Sequence, residues 1–282
     1  MQDIFDKFKK IKGVLSLEQQ EAIIRLIAFD EDLVRRSVGL PREEVKMDVK
    51  GLQKWLNDHG ASPRLVEDGK GGTLTRSAFI QVFVNKNAKA ITQEELKSIA
   101  TLLGDTTTKR VEAVAKVESN GGGWFTSGLP KILYERHYFY RLTRQVVKWL
   151  SFGWLGNTSS GGYTTDVNNN GINDNWEKLA AAACIDPDAA IRSVSIGKFQ
   201  VMGDHYKLLG YSQPIDMLWA ARNDEYEHYK MLANYILKVA NLKSAFLKLS
   251  TNPSDNIAFA RGYNGPSYSK NEYDVKLARA MR

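Results

Sequence analysis

The segment Val111-Glu112-Ala113-Val114-Ala115-Lys116-Val117-Glu118 predicts a helix that ends in a carboxylate. Its valines and alanines recur at helical spacing, so we expect one face to be buried, and the glycines at 121–123 then end the helix. A glutamate at a helix C-terminus faces the negative end of the helix dipole, and partial burial also disfavours its charged form. Both effects raise the pKa of Glu118, as a general acid requires. A solvated residue at a helix end is the alternative.

The composition is that of an ordinary globular protein. The 282 residues are 43% hydrophobic and 25% charged, which excludes a disordered or collagen-like chain. No run approaches the roughly 18 apolar residues of a membrane-spanning helix, and residues 1–10 lack the apolar core of a signal peptide. We therefore expect synthesis in the cytoplasm. The lone cysteine, Cys184, allows no internal disulfide, and its alanine-rich flank favours a buried position.

The net charge of +7 predicts attraction to a polyanion. Nucleic acid, an anionic membrane face and an acidic wall polymer all satisfy that condition. The sequence contains no zinc-finger spacing, RNA-binding signature or arginine-rich run, and this disfavours nucleic acid.

The first part of the chain predicts small helical units. Residues 1–45 are typical of short amphipathic helices and carry no evident chemistry. Residues 47–87 predict a helix that stops at Gly60, a tight polar loop at Asp68-Gly69-Lys70-Gly71-Gly72, and a second helix. The apolar and small residues at helical spacing in this segment are Val49, Leu52, Leu56, Thr75, Ala78, Phe79 and Phe83.

This pattern resembles the helical peptidoglycan-binding domain of bacterial and phage cell-wall hydrolases. The match is Val49-x-x-Leu52-Gln53-x-x-Leu56, then Gly60, then Asp68-Gly69-x-x-Gly72-x-x-Thr75-x-x-Ala78. Members of that family usually carry an aromatic residue where Gly71 stands and often a proline where Thr73 stands, and the missing aromatic would weaken sugar stacking. The resemblance implies a binding domain over residues 1–90, whereas a helical spacer without a ligand is the alternative.

Beyond the junction near residue 90 the chain predicts a mainly α fold. A fresh helix begins after Thr92 with acidic residues in its first turn. The loop from Gly153 to Thr165 is rich in glycine, serine and threonine and predicts an excursion over the surface. The predicted helices are Glu94–Leu103, Lys109–Ser119, Trp176–Ala183, 187–193, Asn223–Val239 and Ser254–Tyr263.

A second carboxylate follows in Pro130-Lys131-Ile132-Leu133-Tyr134-Glu135-Arg136-His137. Glycoside hydrolases usually use two carboxyl groups in different environments. One protonates the leaving oxygen, and the other assists water or stabilises positive charge. An ion pair with Arg136 or His137 is the alternative role of Glu135. His137 lacks a metal-ligand spacing, so we expect it to orient a neighbour through a hydrogen bond.

Two further segments suit a sugar-binding cleft. They are Ser195-Ile196-Gly197-Lys198-Phe199-Gln200-Val201-Met202-Gly203 and Ala258-Phe259-Ala260-Arg261-Gly262-Tyr263-Asn264-Gly265-Pro266. Amides can donate to and accept from N-acetyl groups and hydroxyls, and aromatic faces suit sugar rings. Read alone, each segment could equally be a glycine-containing turn with core aromatics.

Taken together, the four segments resemble the lysozyme superfamily. Their order is that of goose-type lysozymes and lytic transglycosylases, and the closer likeness is to the N-acetylmuramidase domain of phage endolysins. That family carries a Val-Glu-Ser stretch, a Pro-Lys-Ile-Leu-aromatic-Glu-Arg-His block, a Ser-x-Gly-x-Phe-Gln-x-Met-Gly block and an Ala-Arg-Gly-Tyr-Asn-Gly-Pro block. All four occur here in the same order.

The resemblance implies a lysozyme-like catalytic domain over residues 91–282 that cleaves the β-1,4 bond between N-acetylmuramic acid and N-acetylglucosamine. Glu118 would be the catalytic acid and Glu135 the supporting carboxylate. The implied substrate-binding residues are His137, Ser195, Phe199, Gln200, Met202, Tyr263 and Asn264. A lytic transglycosylase that forms 1,6-anhydro ends and a non-catalytic phage structural protein are the alternatives.

The same resemblance implies the partners and place of action. The substrate would be the glycan strands of periplasmic peptidoglycan. Because no secretion signal is evident, a holin would be needed to release the enzyme from the host cytoplasm. We expect a monomer that needs no cofactor for catalysis.

One segment departs from the muramidase pattern and matches a calcium-binding loop. Asp166-Val167-Asn168-Asn169-Asn170-Gly171-Ile172-Asn173-Asp174-Asn175-Trp176-Glu177 fits D-x-[DN]-x-[DN]-G-x5-E. The ligand positions fall on Asp166, Asn168, Asn170, the Ile172 carbonyl, Asp174 and Glu177. Two amides replace carboxylates and lower the affinity expected, so a turn that caps the next helix is the alternative. Any calcium held here would be structural.

Overall fold

A computed structural model of the protein describes residues 46–119, 121–143 and 154–282, and these are mainly helical, as predicted. The helices predicted for residues 1–45 lie outside the described residues. In chain order the elements are α1 (Val49–Asp58), α2 (Thr73–Phe83), α3 (Gln93–Leu103), α4 (Lys109–Glu118), β1 (Ile132–Tyr134), α5 (Arg136–Leu142), α6 (Asp174–Ala183), α7 (Pro187–Arg192), β2 (Val194–Ile196), β3 (Val201–Met202), α8 (Tyr206–Leu209), α9 (Pro214–Asn223), α10 (Glu225–Asn234), α11 (Lys243–Phe246), α12 (Pro253–Asn264) and α13 (Tyr273–Ala280).

The chain forms two compact units that do not follow the order of the sequence. The first unit comprises the described residues up to Val84 together with Leu133–Val194, and the second comprises Asn85–Ile132 and Ser195–Arg282. The division near residue 90 into a binding and a catalytic domain is a functional assignment, and it stays a prediction. Within the described ranges no helix has the length and apolar character needed to cross a bilayer.

Two buried amides of α1 hold the loops of the first unit. The Gln53 side chain accepts a hydrogen bond from the Gly69 amide (2.8 Å) and donates to the Lys70 carbonyl (3.0 Å). Asn57 accepts from the Leu65 amide (2.7 Å) and donates to the Leu65 carbonyl (3.0 Å). Backbone groups that are partly withdrawn from water need hydrogen-bond partners, and these two side-chain amides supply them to the loops that join the two predicted helices.

The core of the first unit is built on Trp176 of α6, which is fully buried. Phe79 and Phe83 of α2 pack against its indole, with ring centroids 6.2 Å and 5.5 Å away. Aromatic contacts at such distances add to the free energy gained by burying the rings. The helix–loop–helix of residues 47–87 therefore shares its core with a helix that lies about a hundred residues later in the chain.

Gly71 sits directly against α6, and this explains one departure from the peptidoglycan-binding pattern. A Cβ atom at position 71 would lie 2.4 Å from Cys184 Cβ and 2.8 Å from the Cys184 carbonyl oxygen. Neither distance is compatible with van der Waals packing, so an aromatic side chain has no room there. Cys184 is buried, as its flanking alanines predicted.

In the second unit, Asp224 sets the start of one predicted helix. The helix predicted over Asn223–Val239 begins two residues later, as α10, and continues as a π-helical turn at Tyr235–Val239. Asp224 has extended backbone angles and its carboxylate accepts from the Glu227 amide at 3.1 Å, so it caps α10 and separates it from α9. The helices α5, α8, α9, α11 and α13 and the three strands were not predicted.

The strands form a small sheet in the order β1-β2-β3. β2 and β3 are an antiparallel hairpin in which Ser195 pairs with Met202 and Ile196 with Val201. Its turn requires positive φ at Gly197 (+75°) and at Gln200 (+52°), and the second of these is unusual for a residue with a side chain.

We predict that Gly71→Ala lowers the free energy of unfolding by about 1–3 kcal/mol, because the added methyl group forces the loop away from Cys184. Chemical denaturation followed by circular dichroism measures the change. Gly122→Ala is the matched control, since a Cβ at position 122 meets no atom within 4 Å. Equal stability of the two variants would contradict the packing described.

Candidate active site

Glu118 is the last residue of α4, and the helix positions it through its buried apolar face. Val111 and Val114 are fully buried, and Glu118 itself is half-buried. Asn264, at the end of α12, donates a hydrogen bond from Nδ2 to Glu118 Oε1 at 2.9 Å. Both residues were predicted site residues, and the tertiary structure of the second unit brings them together.

The electrostatic environment of Glu118 favours its protonated form. Burial raises the pKa of Glu118, and the Asn264 amide and the Lys276 ammonium oppose the shift only in part. Burial also raises the pKa of Tyr263 well above its usual value, and the nearby Glu118 carboxylate adds to that rise. The prediction that this carboxyl has a raised pKa is confirmed in direction, with burial as its main cause.

Two residues of α13 belong to this site and were missed by sequence reasoning. Lys276 acts on Glu118 electrostatically, and Glu118 in turn raises the pKa of Tyr273, second to the effect of burial. Tyr273 and Lys276 are three residues apart and so lie on one face of a helix. That spacing was the available signal, but the sequence analysis did not predict α13.

The β2–β3 hairpin carries four of the predicted substrate-binding residues. The Ser195 hydroxyl lies 3.1 Å from Met202 Sδ, and the exposed Gln200 side chain donates to the Gly197 carbonyl at 2.8 Å. Phe199 is only 6% exposed and packs edge-on against Tyr229. The contact of these residues with substrate stays a prediction, and Phe199 contributes to the core beneath the hairpin.

A buried histidine, which sequence reasoning did not select, supports this hairpin. His228 stacks on Trp124 with ring centroids 4.5 Å apart. Burial lowers the pKa of His228 to about 4, so the ring is neutral near pH 7. Its Nδ1 then accepts from the Lys198 amide (3.1 Å) while Nε2 donates to the Ala221 carbonyl (2.7 Å).

Glu135 lies in the first unit, immediately before α5. The Tyr163 hydroxyl donates to Glu135 Oε2 at 2.7 Å, and His137 Nδ1 lies 3.2 Å from the same oxygen. His137 therefore lies beside Glu135, but its Nδ1 makes no hydrogen bond to the described residues, so its orienting role stays a prediction. Arg136 instead donates to the Ser159 and Ser160 carbonyls at 3.1 Å and 3.2 Å.

The predicted calcium loop is closed by hydrogen bonds among its own residues. The Asp166 carboxylate accepts from the amides of Asn170 (3.0 Å) and Gly171 (2.9 Å), and Gly171 has the positive φ (+80°) that the motif requires. The side-chain amides of Asn168 and Asn170 donate to Glu177. The remaining predicted ligands are Ile172 and Asp174, and the latter accepts from the Val167 amide.

Calcium binding by this loop stays a prediction. Among the residues that the structure describes, no three His, Cys, Asp or Glu side chains converge closely enough to hold a metal ion. Glu177 takes its hydrogen bonds from amide nitrogens, and an amide must turn its oxygen inward to coordinate calcium.

A helical fold with a partly buried carboxyl group at the end of a helix, beside tyrosines and an amide, has the features expected of a lysozyme-like protein. Residues 107–282 match the family model of the N-acetylmuramidases. Among solved structures, the crystal structure of Burkholderia AP3 phage endolysin is similar, with 30% sequence identity, a TM-score of 0.59, and coverage of 83% of this chain and 93% of that chain. No curated protein matches the sequence. The chain belongs to the N-acetylmuramidase family.

We predict that Asn264→Ala raises the pKa of Glu118 further, because the carboxylate loses a donor that stabilises its charged form. Titration of the glutamate side-chain carboxyl carbons by NMR measures the shift. Asn271→Ala, which removes an exposed amide from the same unit, is the control. A fall in the pKa of Glu118 on removal of the Asn264 amide would refute the assigned contact.

Proposed function

We propose that this peptidoglycan hydrolase is a phage endolysin that hydrolyses the β-1,4 bond between N-acetylmuramic acid and N-acetylglucosamine. The observation that carries the proposal is the half-buried Glu118 with its raised pKa, within the region that matches the muramidase family. A carboxyl group whose pKa is raised is better suited to protonate the glycosidic oxygen.

The contacts of Glu118 indicate how the proton is delivered. Asn264 donates to Oε1, so the proton of the acid form is carried on Oε2, from which it passes to the leaving oxygen. As the glycosidic bond breaks, positive charge develops at the anomeric carbon of the muramic sugar. We assign Glu135 to stabilise that charge or to activate the water that completes hydrolysis.

The remaining predicted residues would bind the sugar. Ser195, Gln200 and Met202 lie on a hairpin that His228 supports, and Tyr263 lies on α12 one residue before Asn264. Hydroxyl, amide and aromatic groups are suited to N-acetyl substituents and ring faces. Their roles are proposed on the family pattern and on these positions.

A cleft of about 600 Å³ in the first unit supports wall binding by that unit. It lies between α2 and α6, and its lining includes Arg76, Gln81, Asn170 and the 43% exposed Trp154. An exposed indole can stack on a sugar ring, amides can pair with hydroxyls, and a guanidinium can bind the carboxylates of the muramic sugar or the stem peptide. We assign this cleft to the peptidoglycan glycan strand.

Other expected properties belong to the same proposal. Catalysis by two carboxyl groups needs no metal, so calcium bound at residues 166–177 would act on the stability of the loop. We also propose that the protein acts on periplasmic peptidoglycan after release through a holin. Like other endolysins, it is expected to be a monomer.

We predict that Glu118→Gln abolishes cell-wall lysis, with a fall in activity of at least about 100-fold, because glutamine cannot donate an acid proton. Peptidoglycan zymography and turbidity reduction measure activity. The variant should still sediment with purified peptidoglycan. Glu112→Gln, on the exposed side of the same helix, is the control and should lyse normally. Equal clearing by wild type and Glu118→Gln would remove Glu118 from its assigned role.

The same variant should be more stable than wild type at neutral pH. The pKa of Glu118 is raised in the folded protein, so the folded state favours the protonated side chain and loses stability as pH rises above the ordinary glutamate range. Glutamine removes that penalty and keeps an oxygen to accept from Asn264. Thermal unfolding at pH 7 should therefore show a higher Tm for Glu118→Gln.

Product analysis separates hydrolysis from the alternative reaction. Mass spectrometry of digested peptidoglycan should show reducing muramic ends, since water supplies the new hydroxyl group at the anomeric carbon. Products with 1,6-anhydro ends would instead identify a lytic transglycosylase, in which the muramic 6-hydroxyl attacks.

We predict that Trp154→Ala weakens binding to purified peptidoglycan about tenfold, through loss of a stacking surface. Cosedimentation in the Glu118→Gln background measures binding without digestion of the wall. Trp154→Phe should retain much of the affinity, and Leu74→Ala, an exposed residue of α2 outside the cleft, should retain all of it. Unchanged binding by Trp154→Ala would exclude the cleft as the wall-binding site.

A further inference from the structure

We infer that Tyr163 is a positioning residue for the muramidase reaction, and that its phenol holds the Glu135 carboxylate in place from a loop clamped by two cationic side chains. The inference rests on the proposed function, in which Glu135 serves the reaction. No sequence feature selected Tyr163, because it lies within a loop predicted only as a surface excursion.

The contact itself is short and directional. Tyr163 donates from its hydroxyl to Glu135 Oε2 at 2.7 Å, and His137 Nδ1 approaches the same oxygen at 3.2 Å. Hydrogen bonds to a charged acceptor are stronger than those between neutral groups. Among the described residues both groups approach Oε2, although only the Tyr163 hydroxyl forms a hydrogen bond with it, and this leaves Oε1 to a water molecule or a sugar.

The loop on either side of Tyr163 is fixed by cations. Before it, Arg136 donates from Nε to the Ser159 carbonyl (3.1 Å) and from Nη2 to the Ser160 carbonyl (3.2 Å). After it, the Lys178 ammonium bonds to Thr164 Oγ1 at 3.3 Å. A loop of small residues loses much conformational entropy when it is ordered, and these contacts offset that loss.

Lys178 and Arg136 also contact the backbone immediately before Tyr163. Lys178, only 9% exposed, donates to the Gly162 carbonyl at 2.5 Å. A Cβ atom at position 162 would lie 3.0 Å from Arg136 Nη1, and Gly162 has a φ of +73°. The chain therefore passes closely over the guanidinium in a conformation that favours glycine, and this path sets the direction of the Tyr163 ring.

The electrostatics keep Tyr163 a donor. Burial raises the pKa of Tyr163, its hydrogen bond and proximity to Glu135 raise it further, and donors at Gly161 and Ser160 oppose the shift. The phenol therefore stays protonated across the range in which wall hydrolysis is measured. A permanently protonated donor beside a carboxylate fixes the orientation of that carboxylate.

The test is a double-mutant cycle in the full-length protein. Tyr163→Phe should lower kcat about tenfold with KM changed less than about twofold, because the loss of a charge-assisted hydrogen bond affects the positioning of Glu135 more than sugar binding. In a Glu135→Ala background the same substitution should change kcat less than about twofold. Tyr226→Phe, which removes another phenol hydroxyl from a half-buried tyrosine, is the control, and Tm values verify folding.

A second measurement does not depend on activity. Glu135→Gln should lower the pKa of Tyr163, because the carboxylate that raises it is gone. Titration of the tyrosine Cζ resonances, assigned by their loss in Tyr163→Phe, measures this change even if the Glu135 variants are inactive.

The outcomes distinguish the inference from the proposed function. A Glu135→Ala variant with full activity would overturn the assigned role of Glu135 and the inference with it. Loss of activity in Glu135→Ala with normal kcat in Tyr163→Phe would overturn the inference alone. An equal effect of Tyr163→Phe in both backgrounds, or an unchanged pKa of Tyr163 in Glu135→Gln, would also overturn it.

Discussion

Burial of a carboxyl group at the end of an apolar helix is the constraint on which the site depends. The buried valines hold helix α4 in place, and they thereby keep its last residue, Glu118, partly away from water. Partial burial disfavours ionisation of the carboxyl group and raises its pKa. One donor from Asn264 orients the carboxyl group without fully stabilising its charge. The balance leaves a carboxyl group with a raised pKa and a defined direction, and a glycosidase needs both properties in its general acid.

The two carboxyl groups are supported in different ways. Glu118 is set by a helix and by a hydrogen bond from the end of another helix. Glu135 precedes a short helix and takes its orientation from a tyrosine on a loop whose own path is fixed by Arg136 and Lys178. A regular element needs little further support, whereas a loop residue can hold a precise position only when several side chains secure the backbone around it.

Some of these arrangements carry a local cost in stability. Glu118 is desolvated, Gln200 has a φ of +52°, and His228 is buried in its neutral form beneath the hairpin. Strained or desolvated groups persist when the surrounding structure determines them, and they concentrate at functional sites. Their location in the second unit, around the region that matches the muramidase family, is consistent with that rule.

The sequence by itself determined the mainly helical fold and the bounds of α3, α4, α7 and α12 to within a residue or two, and it singled out the two carboxyl groups whose catalytic roles are proposed. These properties are encoded locally, since helical spacing and caps depend on residues only a few positions apart. Only the tertiary structure decided that Asn264 meets Glu118, that Gly71 lies against Cys184, and that Tyr163 meets Glu135. Those contacts join residues far apart in the chain, and no local periodicity records which distant segments will pack together.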